Sequence, residues 1–225
     1  MAVVHSLNVG VLRQVGAKSG STGIDKLPTR EVVSVSAPGP DRSGVSGLAG
    51  DVICDSENHG GDDQALYAYA REDLDWWQAE WGAPIRSGMF GENLTTSGLD
   101  ITGSLIGERW RVGDGVVLQV TGPRIPCATF AAWVNRNGWL KAFTRCVRPG
   151  AYLRVLAPGK VRAGDPLVVE FRPKHRVTVG TSFRALTLEP EGLPGLLEAF
   201  EYLPGELADR AANRDPFVLF SEIDL

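Results

Sequence analysis

The sequence predicts a mainly β protein of the α+β class, with one long helix inside it and a small helical appendage at its end. Three observations carry that prediction. Short Val-rich runs are punctuated by glycine and proline through the first 170 positions of a 225-residue chain holding 27 Gly and 14 Pro. One stretch alone keeps a helical rhythm over several turns. After about residue 178 the pattern changes to short helical pieces broken by proline. The expected organisation is therefore a β-rich domain over residues 1–175 and a helical subdomain over residues 176–225.

The strand candidates, in order, are Val3–Val4, Val32–Val35, Val116–Val120, Tyr152–Leu156 and Leu167–Phe171. Each is a short, Val-rich run between turn formers. Val116–Val120 is the clearest, with Gly113–Gly115 before it and Gly122-Pro123 after it. The long helix is expected over Asp63–Trp81, where Leu66, Ala70, Leu74, Trp77 and Trp81 recur at helical spacing. Asp62 or Asp63 would cap its start and Gly82 would end it. Shorter helices are expected after Cys127, over Ala128–Val134, and over Gly138–Phe143. In the tail, Leu186–Leu188, Leu193–Phe200 and Leu203–Ala212 read as helical pieces broken at Pro190, Pro194 and Pro204.

Composition bounds the function. At 24.2 kDa the chain can build its own core without a staple. Lys plus Arg is 23 and Asp plus Glu is 27, a net charge of −4. That balance argues against broad binding to nucleic acid, which needs a basic footprint, but leaves room for a local anion site. No apolar run reaches the ~20 residues that span a bilayer, and Met1–Gly10 has no charged start followed by an apolar stretch. Three scattered cysteines, Cys54, Cys127 and Cys146, suggest a reducing compartment. The expected setting is the cytoplasm, without a membrane. Walker-type, G-x-G-x-x-G, Cys-x-x-Cys and G-x-S-x-G patterns are absent from the sequence, as are flavin, haem and iron–sulfur motifs. A pyridoxal-phosphate-like anion site is not expected.

Four segments could carry chemistry. In Thr121-Gly-Pro-Arg-Ile-Pro-Cys127 a cysteine opens a helix, three residues after Arg124. The helix dipole and the cation both favour thiolate over thiol, giving a soft nucleophile or metal ligand. The same residue could serve as a small buried hydrophobe. Cys54 and Cys146 lack that setting and read as structural. In His59-Gly-Gly-Asp62 two glycines let backbone approach a ligand ahead of a helix start; taken alone, the segment reads first as a loop histidine beside an ordinary capped helix. Glu92 and Asn93 lie in a Gly-rich turn, where they could bond a polar ligand or serve the turn itself. Lys26 could meet a phosphate or lie on a solvated surface.

Taken in order, these segments resemble the MOSC family, named for the C-terminal domain of molybdenum cofactor sulfurase, and in particular its stand-alone bacterial YiiM-like members. The matching pieces are Thr22-Gly-Ile-Asp-Lys-Leu-Pro28, Gly47-Leu-Ala-Gly-Asp51, His59-Gly-Gly-Asp62, Phe90-Gly-Glu-Asn-Leu94, Pro123-Arg-Ile-Pro-Cys127 and Gly159-Lys-Val-Arg-Ala-Gly-Asp165. The resemblance implies a β-barrel-like MOSC fold with a cleft for the molybdenum cofactor (molybdopterin), and a tail like the small three-helix appendage of YiiM-like proteins. It implies that Cys127 is the reactive residue, as molybdenum ligand or persulfide carrier. His59, Asn93 and Arg124 would line the cleft, with His59 as proton donor. Lys26 and Arg148 would hold the anionic cofactor tail, and Gly60 and Gly61 would admit it. The implied activity is reduction of small N-hydroxylated compounds, with electrons from an external reductase. The alternatives are a sulfur-carrier protein with a persulfide on Cys127, and a non-catalytic carrier of the cofactor. A homodimer through the tail and the Trp-rich helix is a further expectation.

Overall fold

Seven strands close on themselves, and the closure rests on the length of the first. In the computed structural model, which describes residues 1–14, 20–40, 43–55 and 59–219, β1 (Ala2–Gln14) is 13 residues long. Its first half pairs with β10 (Pro166–Phe171) on one side and β5 (Leu94–Ser97) on the other. Its second half leaves the barrel and pairs with β2 (Ser21–Thr29), in register Leu7 with Thr29 through Gln14 with Ser21. Around the ring, β10 is followed by β6 (Arg109–Val112), β7 (Val116–Pro123), β8 (Ala151–Ala157), β4 (Leu66–Ala70) and β5. Only β4 and β5 run parallel among these pairs, so the barrel is mixed. A separate two-stranded ribbon joins β3 (Val33–Val35) to β9 (Gly159–Val161). Closure leaves β2 as an edge, which is where a strand carrying Pro28 can sit.

β4 corrects one sequence expectation. Leu66–Ala70 is strand, and α1 covers only Arg71–Trp81. A spacing of four residues is even, so Leu66 and Ala70 share a face in a strand as well as in a helix. Leu66, Ala68 and Ala70 point into the barrel core, while Tyr67 and Tyr69 belong to a separate aromatic layer. Ala70, in extended conformation, precedes the helix. Asp62 and Asp63 lie instead in a short 3-10 turn and do not cap α1. Gly82 ends α1 in left-handed conformation, as the sequence indicates. Hydrophobic patterning also misses β2, where Asp25, Lys26 and Pro28 interrupt the strand, and the short β5, β6 and β9.

The aromatic layer sits between the outer face of β4 and α1, α2 (Ala128–Val134) and α3 (Trp139–Cys146). Phe90, Phe130, Trp139 and Phe143 meet there mostly edge to face, with centroids 5.1 to 6.3 Å apart. At the end of the chain α4 (Val179–Thr187) opens with a Thr178–Thr181 capping box. A 3-10 segment (Pro190–Ala199) and α5 (Gly205–Asn213) follow. Leu186, Leu193, Leu196 and Ala208 join the same apolar core as the barrel strands. Among the described residues, no helix is long and apolar enough to cross a membrane.

Candidate functional site

β7 ends at Pro123, and the next four residues carry the chain across the mouth of a cleft to α2. Cys127 is the residue before that helix, extended at φ −128°, and is half-buried in the cleft wall. Burial alone would raise its thiol pKa. The His59 imidazole, the Arg124 guanidinium and the Phe130 backbone N–H beside the sulfur outweigh burial and bring it down to about 7. A soft thiolate is therefore present at neutral pH. His59 enters from the far side of the cleft, with Nδ1 3.4 Å from Gln64 Oε1.

Arg124 is the unusual group. It is 5% exposed. Its Nη1 donates to the Phe90 carbonyl. The guanidinium lies 4.2 Å from the centre of the Phe130 ring and 5.1 Å from that of Tyr67. Its Nε has no hydrogen-bond partner, and among the described residues no carboxylate pairs with it. The Phe90 carbonyl is held in place by Glu92. That fully buried carboxylate accepts from Gly88 N (2.5 Å), Phe90 N (3.0 Å) and Thr95 Oγ1 (2.8 Å), and burial pushes its pKa up. Gly91 must be glycine at this turn. Its φ is +82°, and a Cβ would stand 2.9 Å from Ile24 and 3.3 Å from Arg124 Nη1.

Lys26 also lines the cleft, but its charge is matched. Nζ donates to both oxygens of Asp51 at 2.6 Å. Asp51 accepts further bonds from Gly10 N (2.7 Å), Ser46 Oγ (2.7 Å) and Asn93 Nδ2 (2.9 Å). Burial draws the Lys26 pKa down against this pairing. Asp51 stays below the usual carboxylate range, because Lys26, Asn93 and Ser46 outweigh its own burial. Asn93 Oδ1 accepts from Tyr67 N at 3.1 Å, so Asn93 fastens β4 to this network. The polar wall is a saturated hydrogen-bond network, and Arg124 stands outside it.

The structure thus brings Cys127, His59, Lys26, Gly60, Asn93 and Arg124 to one cleft, whose interior is about 100 Å³. Gly61 lies just behind the wall, its N–H spent on the Val45 carbonyl at 3.1 Å. Arg148 is elsewhere. It lines a second cleft, donates to Asp73 and covers the Trp76 ring at 5.0 Å. Among the lining residues that sequence reasoning did not assign to the site are Cys54, which reads as structural there, and Tyr152. No local signal marks Cys54. Tyr152 had one: in β8 the buried residues Ala151, Leu153 and Val155 alternate with Tyr152 and Arg154, which turns both outward from the barrel. The Tyr152 hydroxyl makes no hydrogen bond to the described residues. Burial, and the nearby Cys127 against the pull of Arg124, raise its pKa, so it stays a neutral donor. Among the described residues, no three His, Cys, Asp or Glu side chains converge as a metal cage.

A model of the MOSC domain matches residues 55–168, just over half of the chain. The protein YflK of Bacillus subtilis is 32% identical over 178 residues, covering 78% of this chain and 76% of its own. A protein named "Reductase" from Gibberella moniliformis is 32% identical over 180 residues; the match covers 76% of this chain but only 31% of that one. The crystal structure of YiiM from Geobacillus stearothermophilus superposes with a TM-score of 0.76 at 25% identity, over 95% of this chain and 99% of the other. The chain belongs to the MOSC domain family.

Proposed function

We propose that this protein binds the molybdenum cofactor and reduces N-hydroxylated compounds with electrons from a separate donor. One observation carries the reading: a buried guanidinium without a carboxylate partner lies beside a thiol poised near neutral pKa. Burying an uncompensated charge is costly, and an anionic ligand in the cleft offsets that cost. The donor set fits this cofactor in a second way. Among the described residues a bare metal ion finds no protein cage, whereas a metal already held by an organic dithiolene needs only one further soft ligand.

When bound, the cofactor supplies a two-electron couple for cleaving an N–O bond. The chain's own residues then have separate tasks. The Cys127 thiolate would be the protein's ligand to the metal. Arg124 would face the anionic part of the cofactor from the cleft wall. Asn93 and Asp51 keep the wall rigid, so those positions need no rearrangement on binding. His59 delivers a proton to the departing oxygen, and the Tyr152 hydroxyl donates a hydrogen bond that orients the substrate. The balance is R–NHOH + 2e⁻ + 2H⁺ → R–NH2 + H2O.

The test is turnover of an N-hydroxylated nucleobase analogue, with reduced methyl viologen as the electron source and protein made in a cofactor-producing host. The loaded wild type is expected to form the amine, and Cys127→Ser to lose at least about 10³-fold. Full activity in Cys127→Ser, or no amine from loaded wild type, contradicts the reading. The low thiol pKa also favours a second reading, in which Cys127 carries a persulfide. Intact mass separates the two, since only the carrier gains one sulfur atom on Cys127 without molybdenum.

A further inference from the structure

Between Asp114 and Asp165 the chain carries eight Lys or Arg residues and no carboxylate, although its net charge is −4. The structure disposes of several of these cations. Arg124 faces the cleft, and Arg148, Arg154 and Arg162 each pair with an aspartate. Arg136 and Arg145 are exposed and have no ion pair to the described residues. Arg136 precedes α3 and Arg145 lies in its last turn, with Lys141 one helical turn before it. Three half-buried tryptophans, Trp76, Trp81 and Trp133, pack against the same aromatic cluster as Trp139 and Phe143 of α3. The Arg136 guanidinium lies 4.3 Å from the centre of the Trp81 ring. Trp81 is itself fixed against buried Trp139 at 5.2 Å. On α1, which carries Trp76 and Trp81, Asp75 is paired with Arg71 and Glu80 is exposed, so Arg136 and Arg145 outnumber that one exposed, unpaired carboxylate.

We propose that this Trp- and Arg-bearing face of α1–α3 docks an acidic protein partner, which, resting on the function proposed above, is the electron donor. Tryptophan and arginine are the residues that dominate binding energy at protein interfaces, and a local positive face on an acidic protein steers a negatively charged partner. Its position suits the role. α2 starts at Cys127, and Arg136 follows its last turn, about 10 to 14 Å further along the helix axis.

The experiment uses the full chain and two acidic one-electron carriers, flavodoxin and plant-type ferredoxin. Their binding is measured by calorimetry at low and high salt, and turnover is driven in parallel by methyl viologen. The wild type is expected to bind at least one carrier, with affinity falling steeply as salt rises. R136E/R145E is expected to weaken that binding at least about tenfold while methyl-viologen turnover stays within twofold. Trp81→Ala is expected to weaken binding even at high salt. No binding of either carrier at low salt, or binding unchanged in R136E/R145E, overturns the docking face. A short single-stranded oligonucleotide bound more tightly than both carriers, and released by R136E/R145E, also overturns the acidic-protein assignment. Failure of methyl-viologen turnover in loaded wild type overturns the reductase reading and leaves the binding measurement to decide the face.

Discussion

Two clefts in this molecule each place an arginine beside a half-buried cysteine, yet the thiols of Cys127 and Cys146 are poised in opposite directions. The second, lined by Cys146, Arg148, Asp73, Asp100 and Arg184, is the larger at about 460 Å³. There Arg148 pairs with Asp73 and Arg184 with Glu189. Burial dominates Cys146 and pushes its thiol up to about 12. In the smaller cleft the ion pair belongs to Lys26 and Asp51, and Arg124 is left over. Cys127 falls to about 7 under Arg124 and His59. His59 and a cation without a carboxylate partner, and not the size of the void, set the Cys127 thiol apart from that of Cys146.

The largest effect expected from testing that contrast is on stability. Asp51→Asn leaves Lys26 buried and unpaired and should cost about 3–5 kcal/mol in urea unfolding. Asp73→Asn should cost far less, because Arg148 is 37% exposed and reaches water. Adding Lys26→Met to Asp51→Asn should recover part of the loss. A smaller effect separates the arginines. Arg124→Met should lower cofactor retention at least about tenfold, read as molybdenum per chain, while Arg148→Met changes it less than twofold.

The thiols come next. Alkylation of Cys127 by iodoacetamide should reach half its limiting rate near pH 7, whereas Cys146 stays inert until strongly alkaline pH. Arg124→Met should move the Cys127 midpoint upward. The linkage has opposite signs at the two sites. Cys127 ionises at a lower pH folded than unfolded, so it adds stability as pH rises from about 7 to its ordinary value of 9.0. Cys146 ionises more easily unfolded, so it subtracts stability as pH climbs from 9.0 towards 12. Smallest of all, Tyr152→Phe should reduce turnover about three- to tenfold with molybdenum content unchanged, since it removes one hydrogen bond to substrate. A matching loss of molybdenum would make Tyr152 a cofactor contact instead.

Much of this was legible in the chain. The Val116–Val120 strand, the Cys127 helix start and the Gly82 stop follow from local chemistry, because each depends on neighbours within a few residues. The ordered motifs placed the family. What stayed hidden depends on partners far along the chain. Lys26 looks like a free anion binder until Asp51, 25 residues away, takes both oxygens to it. Arg148 resembles a cofactor cation until Asp73 claims it across 75 residues. The long helix was overextended because an even spacing satisfies strand and helix alike. Cys54 lies in a stretch without regular secondary structure, so no periodicity could orient its side chain towards the cleft.

The most direct test of the central claim is molybdenum content. Wild type, Cys127→Ser and Cys146→Ser would be purified from the same molybdate-supplied, cofactor-producing host and assayed by elemental analysis alongside intact mass. Near-stoichiometric molybdenum in wild type and Cys146→Ser, falling at least about tenfold in Cys127→Ser, is the expected result. Molybdenum retained equally in all three, or absent from wild type, would contradict the assignment of the smaller cleft as the cofactor site.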